Sequence, residues 1–203
     1  MLKQLLTENW IFKHRSTVTC VSGLILALAA FTAVPGINAQ APQVAPQLSC
    51  KDDPRFRAFD FWSGTWDVLD QTSGQHAGRN TIRVIENGCA LHESWAGNSG
   101  STGTSLNYFN PVTGVWRQVW VSSGAYAVDI EGTAQPGRVR LTGDIWYYTP
   151  GTRLPFRGTW SLNSDGSVRQ LFEQRNPTTQ EWEIWFDGLY TACTIEQEGA
   201  AQC

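Results

Sequence analysis

The sequence predicts an all-β protein: a single antiparallel meander β-barrel of about ten strands. Three observations carry that prediction. From Phe59 onward, runs rich in Val, Ile, Thr and aromatic residues alternate with turn signals. No run keeps a helical period beyond one or two turns. The connections are short and regularly spaced, so strands adjacent in sequence pair in space. A meander of that many strands must curl, and closing it removes both exposed edges. A two-sheet sandwich is the competing architecture.

The turns mark each element in order. They fall at Thr72-Ser73-Gly74, Asn87-Gly88, Asn98 to Gly103, Asn110 to Gly114 and Ser122 to Gly124. Gln135-Pro136-Gly137, Asn163 to Gly166 and Asn176-Pro177 complete the series. Gly, Asn, Asp and Pro supply the backbone conformations that tight turns need. Nine of the ten Trp lie beyond residue 60, spread along the whole domain.

The first forty residues read differently. Lys3, Lys13 and Arg15 precede an apolar run from Ser16 to Val34, which Pro35 and Gly36 end. Ala39 and Ala41 then supply an Ala-x-Ala cleavage pattern, the layout of a secretory signal. An uncleaved anchor is the alternative. The expected organisation is a signal peptide over 1–39, a leader and N-terminal segment over 40–58, the barrel over 59–192 and a tail over 193–203. The protein is then exported, to the periplasm or the extracellular space. The formal charge is −3 overall, and removing the signal leaves an acidic domain near −5. Such a domain lacks the basic footprint of a nucleic-acid partner and has no attraction for anionic membranes.

The first strand opens Phe59-Asp60-Phe61-Trp62-Ser63-Gly64-Thr65-Trp66-Asp67-Val68. Its Gly-x-Trp resembles the first-strand motif of lipocalin-like (calycin) barrels. There the Gly lets the strand bend and the Trp plugs the barrel floor. Asn87 to Trp95, Gly103 to Phe109, Trp116 to Val121 and Trp182 to Tyr190 extend the pattern. Together these resemble an uncharacterised family of secreted bacterial proteins. The resemblance implies export and a calycin-like barrel, and it brings no activity and no catalytic residues.

Period-two alternation sorts residues onto faces. Leu91, Glu93 and Trp95 share a face on the third strand, Ser105, Asn107 and Phe109 on the fourth, and Trp116, Gln118 and Trp120 on the fifth. Connections centred near residue 100 and near 112–113 would set Glu93 opposite Asn107 and Asn107 opposite Gln118. That arrangement makes a polar layer between aromatic walls, as a small-ligand pocket requires. Arg157, Gln170 and Glu173 are later polar candidates, with Arg157 expected to pair with Glu93 or with an anionic ligand group. The expected ligand is a small apolar or amphipathic molecule, bound by Glu93, Trp95, Ser105, Asn107, Phe109, Trp116, Gln118, Trp120, Arg157 and Gln170. Two alternatives stand beside it. One is an isomerase or hydrolase with Glu93 as general acid/base. The other is a surface-recognition module using outward Trp such as Trp146 or Trp185.

His92 is out of phase with Glu93 and should point outward. No interior axial ligand for haem and no zinc spacing is evident, so no cofactor and no metal are expected. Nor does a Gly-x-Ser-x-Gly elbow occur.

Export permits disulfides. The hairpin of the first two strands turns near Gly74, which returns Cys89 to the neighbourhood of residue 59. Cys50 can fold back to meet it, so Cys50–Cys89 is the favoured pair, with Cys50–Cys193 competing and Cys193–Cys203 paired or free.

Overall fold

The computed structural model describes residues 48–195 and 201–202. The expected signal peptide, most of the leader and Cys203 lie outside the described residues.

Alternating sequences with Gly-, Asn- and Pro-rich turns give ten antiparallel strands. In chain order they are β1 (Gly64–Asp70), β2 (Gln75–Ile85), β3 (Ala90–Gly97), β4 (Thr102–Asn110) and β5 (Val115–Ser122). These are followed by β6 (Tyr126–Gln135), β7 (Arg138–Tyr147), β8 (Thr152–Leu162), β9 (Val168–Arg175) and β10 (Trp182–Ala192). Each strand pairs with its neighbours in sequence, and β10 returns to β1, so the sheet is a closed barrel. The seam is antiparallel, with Val68 opposite Tyr190 and Asp70 opposite Gly188. Closure excludes the two-sheet sandwich. The architecture is consistent with a calycin-like barrel. A two-residue pairing of β11 (Thr194–Ile195) with β12 (Ala201–Gln202) follows.

Strand direction gives the barrel two distinct ends. One carries the Glu86–Gly88 turn and the connections at 111–114, 136–137 and 163–167. This end is plugged. Asp53 caps a one-turn helix, α1 (Pro54–Arg57), by accepting from the Arg55 backbone N–H at 2.9 Å. Pro54 at its first position fits the fixed proline φ. Phe56 on this helix is buried, as are Trp62 of the following 3-10 turn, Asp60–Trp62, and Phe59 just before it. Phe59 stacks on Trp62 at 5.0 Å and meets Trp160 edge-on at 5.1 Å. Phe56 meets Phe109 edge-on at 5.2 Å, and the Trp116 indole donates to the Arg55 carbonyl at 3.2 Å.

The floor differs in one respect from the resemblance-based expectation. Phe56, Phe59 and Trp62 fill it, and Trp66 lies on top, donating to the Trp62 carbonyl at 2.9 Å. Gly64 does take a backbone conformation disfavoured for side-chain-bearing residues, φ +145°. Residues 50–58, read from sequence as part of the leader, contribute Cys50 and Phe56 to the hydrophobic core.

Cys50 is bonded to Cys89, as expected, across 39 residues. The bridge ties the segment before α1 to the turn between β2 and β3, beside the hydrogen bond from Arg57 to the Gly88 carbonyl at 2.7 Å. It rules out the Cys50–Cys193 alternative. Cys193 is itself disulfide-bonded.

Candidate functional site

The inward faces of β2, β3, β4, β5, β9 and β10 carry polar side chains halfway along the barrel. Alternation explains why they converge. On β3 Leu91 and Glu93 are buried between outward His92 and Ser94, and Ser105, Asn107 and Phe109 are buried on β4. Trp116 and Gln118 do the same on β5. Asn107 stands opposite Gln118, as the spacing predicted. Glu93 stands opposite Ser105, and Asn107 opposite Leu91, so the expected Glu93–Asn107 pairing is displaced by two residues. The loop between β3 and β4 is centred one residue earlier than inferred. An offset of two preserves parity, and every side chain therefore keeps its face.

Glu93 is the centre of the layer, with only 3% of its surface exposed. Asn80 of β2 donates to Oε1 at 2.7 Å. Ser105 donates to Oε2 at 2.5 Å, and Gln118 reaches the same oxygen at 3.4 Å. Asn107 donates in turn to the Ser105 hydroxyl at 2.7 Å. On the far side Tyr190 donates to Gln170, and Asn80 lies 3.4 Å from the Tyr190 hydroxyl. Burial pushes the Glu93 carboxyl up to about 7, against the opposing pull of the Ser105 and Asn80 hydrogen bonds. Burial likewise raises Tyr126 to about 12, and it lifts Tyr190 well above the ordinary phenol value. Both phenols are therefore neutral throughout the range in which Glu93 titrates.

Toward the end away from the plug, the layer floors a cavity of about 220 Å³. Its walls are aromatic: Trp95, Trp120, Tyr126, Phe172, Trp185 and Phe186. Glu93, Gln118, Gln170 and Tyr190 supply the polar surface. Gly103 makes the wall possible, because a Cβ there would stand 2.2 Å from the Trp120 ring. An irregularity in the β9–β10 pairing between Ile184 and Phe186 lets the consecutive residues Trp185 and Phe186 both reach the cavity. The Trp185 indole is held by the Tyr147 hydroxyl at 2.8 Å. The Trp120 indole opposes the rise of the Tyr126 hydroxyl, and its buried N–H makes no hydrogen bond of good geometry.

The residues expected at the site divide into four groups. Glu93, Trp95, Gln118, Trp120 and Gln170 line the cavity. Ser105 and Asn107 lie behind it and hold the carboxyl, while Phe109 and Trp116 pack on the plug at the opposite end. Arg157 is a correction, because it faces outward. It pairs with Glu173 through two hydrogen bonds of 2.7 Å and lies 4.2 Å over the Trp182 ring. Phe156, Gly158 and Trp160 occupy the inward positions of β8, which leaves Arg157 and Thr159 outside.

Sequence reasoning missed Asn80, Tyr190, Phe172 and Tyr126. The first two sit on strands whose alternation was readable, in phase with Ile82 and Gly188. The surface-recognition alternative set Trp185 outward, whereas it lines the cavity. No Trp among the described residues is fully exposed, and Trp146 is half-buried with the Arg153 guanidinium 5.9 Å from its ring. His92 does point outward, against Thr104 at 2.9 Å.

Fold and site together define a closed antiparallel barrel, plugged at one end, with a buried carboxyl beneath an aromatic-walled cavity at the other. No family model matches the chain, and no curated protein matches it.

Proposed function

We propose that the protein is an exported binding barrel for a small apolar or amphipathic molecule. One observation carries the reading. A single buried carboxyl, orientated by three donors, floors an aromatic cavity at the unplugged end of a closed barrel. Apolar walls with a few convergent polar groups are the usual make-up of a small-molecule site. The volume, about 220 Å³, is above the roughly 150 Å³ that accommodates benzene and suits a molecule of one ring with a short substituent. The Cys50–Cys89 bridge supports an oxidising compartment. Among the described residues no helix is long and apolar enough to cross a membrane.

Titrating the full chain with neutral one-ring and two-ring aromatics tests the proposal through the Trp emission. A saturable change is expected, and Ala77→Phe, which narrows the cavity, should abolish it. No saturable response to any probe would overturn the reading.

A second reading is favoured by the Glu93 carboxyl itself. A group that titrates at about 7 within reach of a cavity is suited to proton transfer at neutral pH. An enzyme of this kind would lose turnover in Glu93→Gln while retaining binding of neutral aromatics. Equal turnover in that variant would remove the reading.

A further inference from the structure

We propose that the cavity selects a small organic cation, a protonated amine joined to an apolar body about one ring in size. The inference rests on the binding-barrel reading and names the ligand class for that site. Glu93 has donors around it but no positive charge in the cavity lining. Asn80, Ser105 and Gln118 all aim donors at the Glu93 carboxyl, an arrangement that favours its charged form. A cation would stabilise the ionised carboxylate, and no Lys, Arg or His lines the cavity. Arg117, Arg157 and Arg169 are engaged on the outer face with Asp129, Glu173 and Asp187.

The carboxylate also has acceptor capacity to spare. A carboxylate offers about four lone-pair positions, two on each oxygen. Ser105 and Gln118 converge on Oε2, whereas Oε1 receives Asn80 alone. One acceptor position on Oε1 is left for a ligand N–H. The cavity wall suits a cation as well. Six aromatic side chains surround the space above Glu93, and the negative faces of aromatic rings attract an ammonium group. Aromatic faces around a lone carboxyl complement a positive charge, whereas a ligand carboxylate or phosphate would meet repulsion at the floor.

The groups facing Glu93 from the packed strands are Asn80 on β2, Ser105 and Asn107 on β4, and Gln118 on β5. Tyr126 on β6, Gln170 on β9 and Tyr190 on β10 complete the set. None but the two phenols can titrate, and both stay neutral below pH 9. The pH dependence of cation binding therefore belongs to Glu93 alone.

The experiment compares matched pairs on the full chain: benzylamine with benzyl alcohol, phenethylamine with phenethyl alcohol, and tryptamine with tryptophol. Amine affinity should rise by about thirtyfold between about pH 5.5 and pH 8, as Glu93 ionises, while alcohol affinity stays flat. Calorimetry of the amines at about pH 6.5, in buffers of different ionisation enthalpy, should show proton release on binding. Glu93→Gln should abolish both the amine preference and the proton release, and it should leave the alcohols bound. Alcohols that bind as tightly as amines, or amine affinity insensitive to pH and to Glu93→Gln, would overturn the cation proposal and leave the binding barrel standing. Failure of both series to bind would overturn the two together.

Discussion

Glu93 illustrates how a single residue can couple the site to the stability of the barrel. In the unfolded chain its carboxyl has an ordinary value near 4.5, and in the folded barrel burial raises it to about 7. The folded state thus holds the proton more tightly. The associated stability is present in full below the unfolded value, declines as the pH rises and is gone above the folded value. At 1.36 kcal/mol per unit the change is about 3 kcal/mol. We expect wild type to lose about 3 kcal/mol relative to Glu93→Gln between pH 4 and pH 8. Denaturant unfolding of both proteins across that range measures it. A difference that does not vary with pH would mean that water or structural relaxation solvates the carboxylate. An ammonium ligand should reverse part of the loss, since it binds only the ionised folded form.

Among the elements, the plug has the most distinct task. α1 and the 3-10 turn after it bring Phe56, Phe59 and Trp62 under one end of the barrel, leaving the other end for the cavity. Four residues cannot form a stable helix alone. The segment is held by tertiary contacts: the Cys50–Cys89 bridge, the Arg57–Gly88 hydrogen bond and the packing of Phe56 and Phe59 against Phe109, Trp116 and Trp160. A bridge that closes 39 residues restricts the unfolded chain by an amount worth about 3–4 kcal/mol. Replacing both Cys50 and Cys89 with Ser should lower unfolding stability by about that much. Because the bridge is at the plugged end, the variant should bind neutral aromatics unchanged wherever it remains folded. Weakened binding under fully folded conditions would show that plug and cavity are coupled.

At the scale of the whole molecule, closure through β1 and β10 decides whether there is an interior at all. The seam has a specific fastening at the Gln71 turn. Arg169 on β9 makes two hydrogen bonds to Asp187 on β10, at 2.8 and 2.7 Å. Gln71, just after β1, donates to the Asp187 side chain at 2.8 Å and to its backbone carbonyl at 2.7 Å. The guanidinium of Arg169 holds the Asp187 carboxyl below its usual value. A depressed carboxylate contributes stability above its unfolded pKa and loses it as pH falls through the folded value. Asp187→Asn should therefore cost about 1–3 kcal/mol at neutral pH. The difference from wild type should shrink in acid, below about pH 4. Thermal unfolding at pH 7 and pH 3 checks this, and an equal cost at both would assign the effect to packing instead of charge.

Strand parity was legible residue by residue. Alternation alone put Glu93, Gln118 and Trp120 on one side of the sheet and His92 on the other, and the Cys89 position followed from the first hairpin. Parity could not say which face of β8 was inner, because both faces carry large side chains. Phe156 and Trp160 took the interior, and Arg157 was left outside with Glu173. Nor could it reveal that an irregularity beside Phe186 would turn Trp185 into the cavity.

Sequence by itself determined the element type, the meander and the inward face of β3 to β5, since each depends on local period and turn chemistry. Tertiary structure alone decided the β3–β4 register, the plug, the approach of Asn80 and Tyr190 to Glu93, and the empty volume above it. Those features depend on how side chains distant in sequence fill a closed space, a property that no single strand contains.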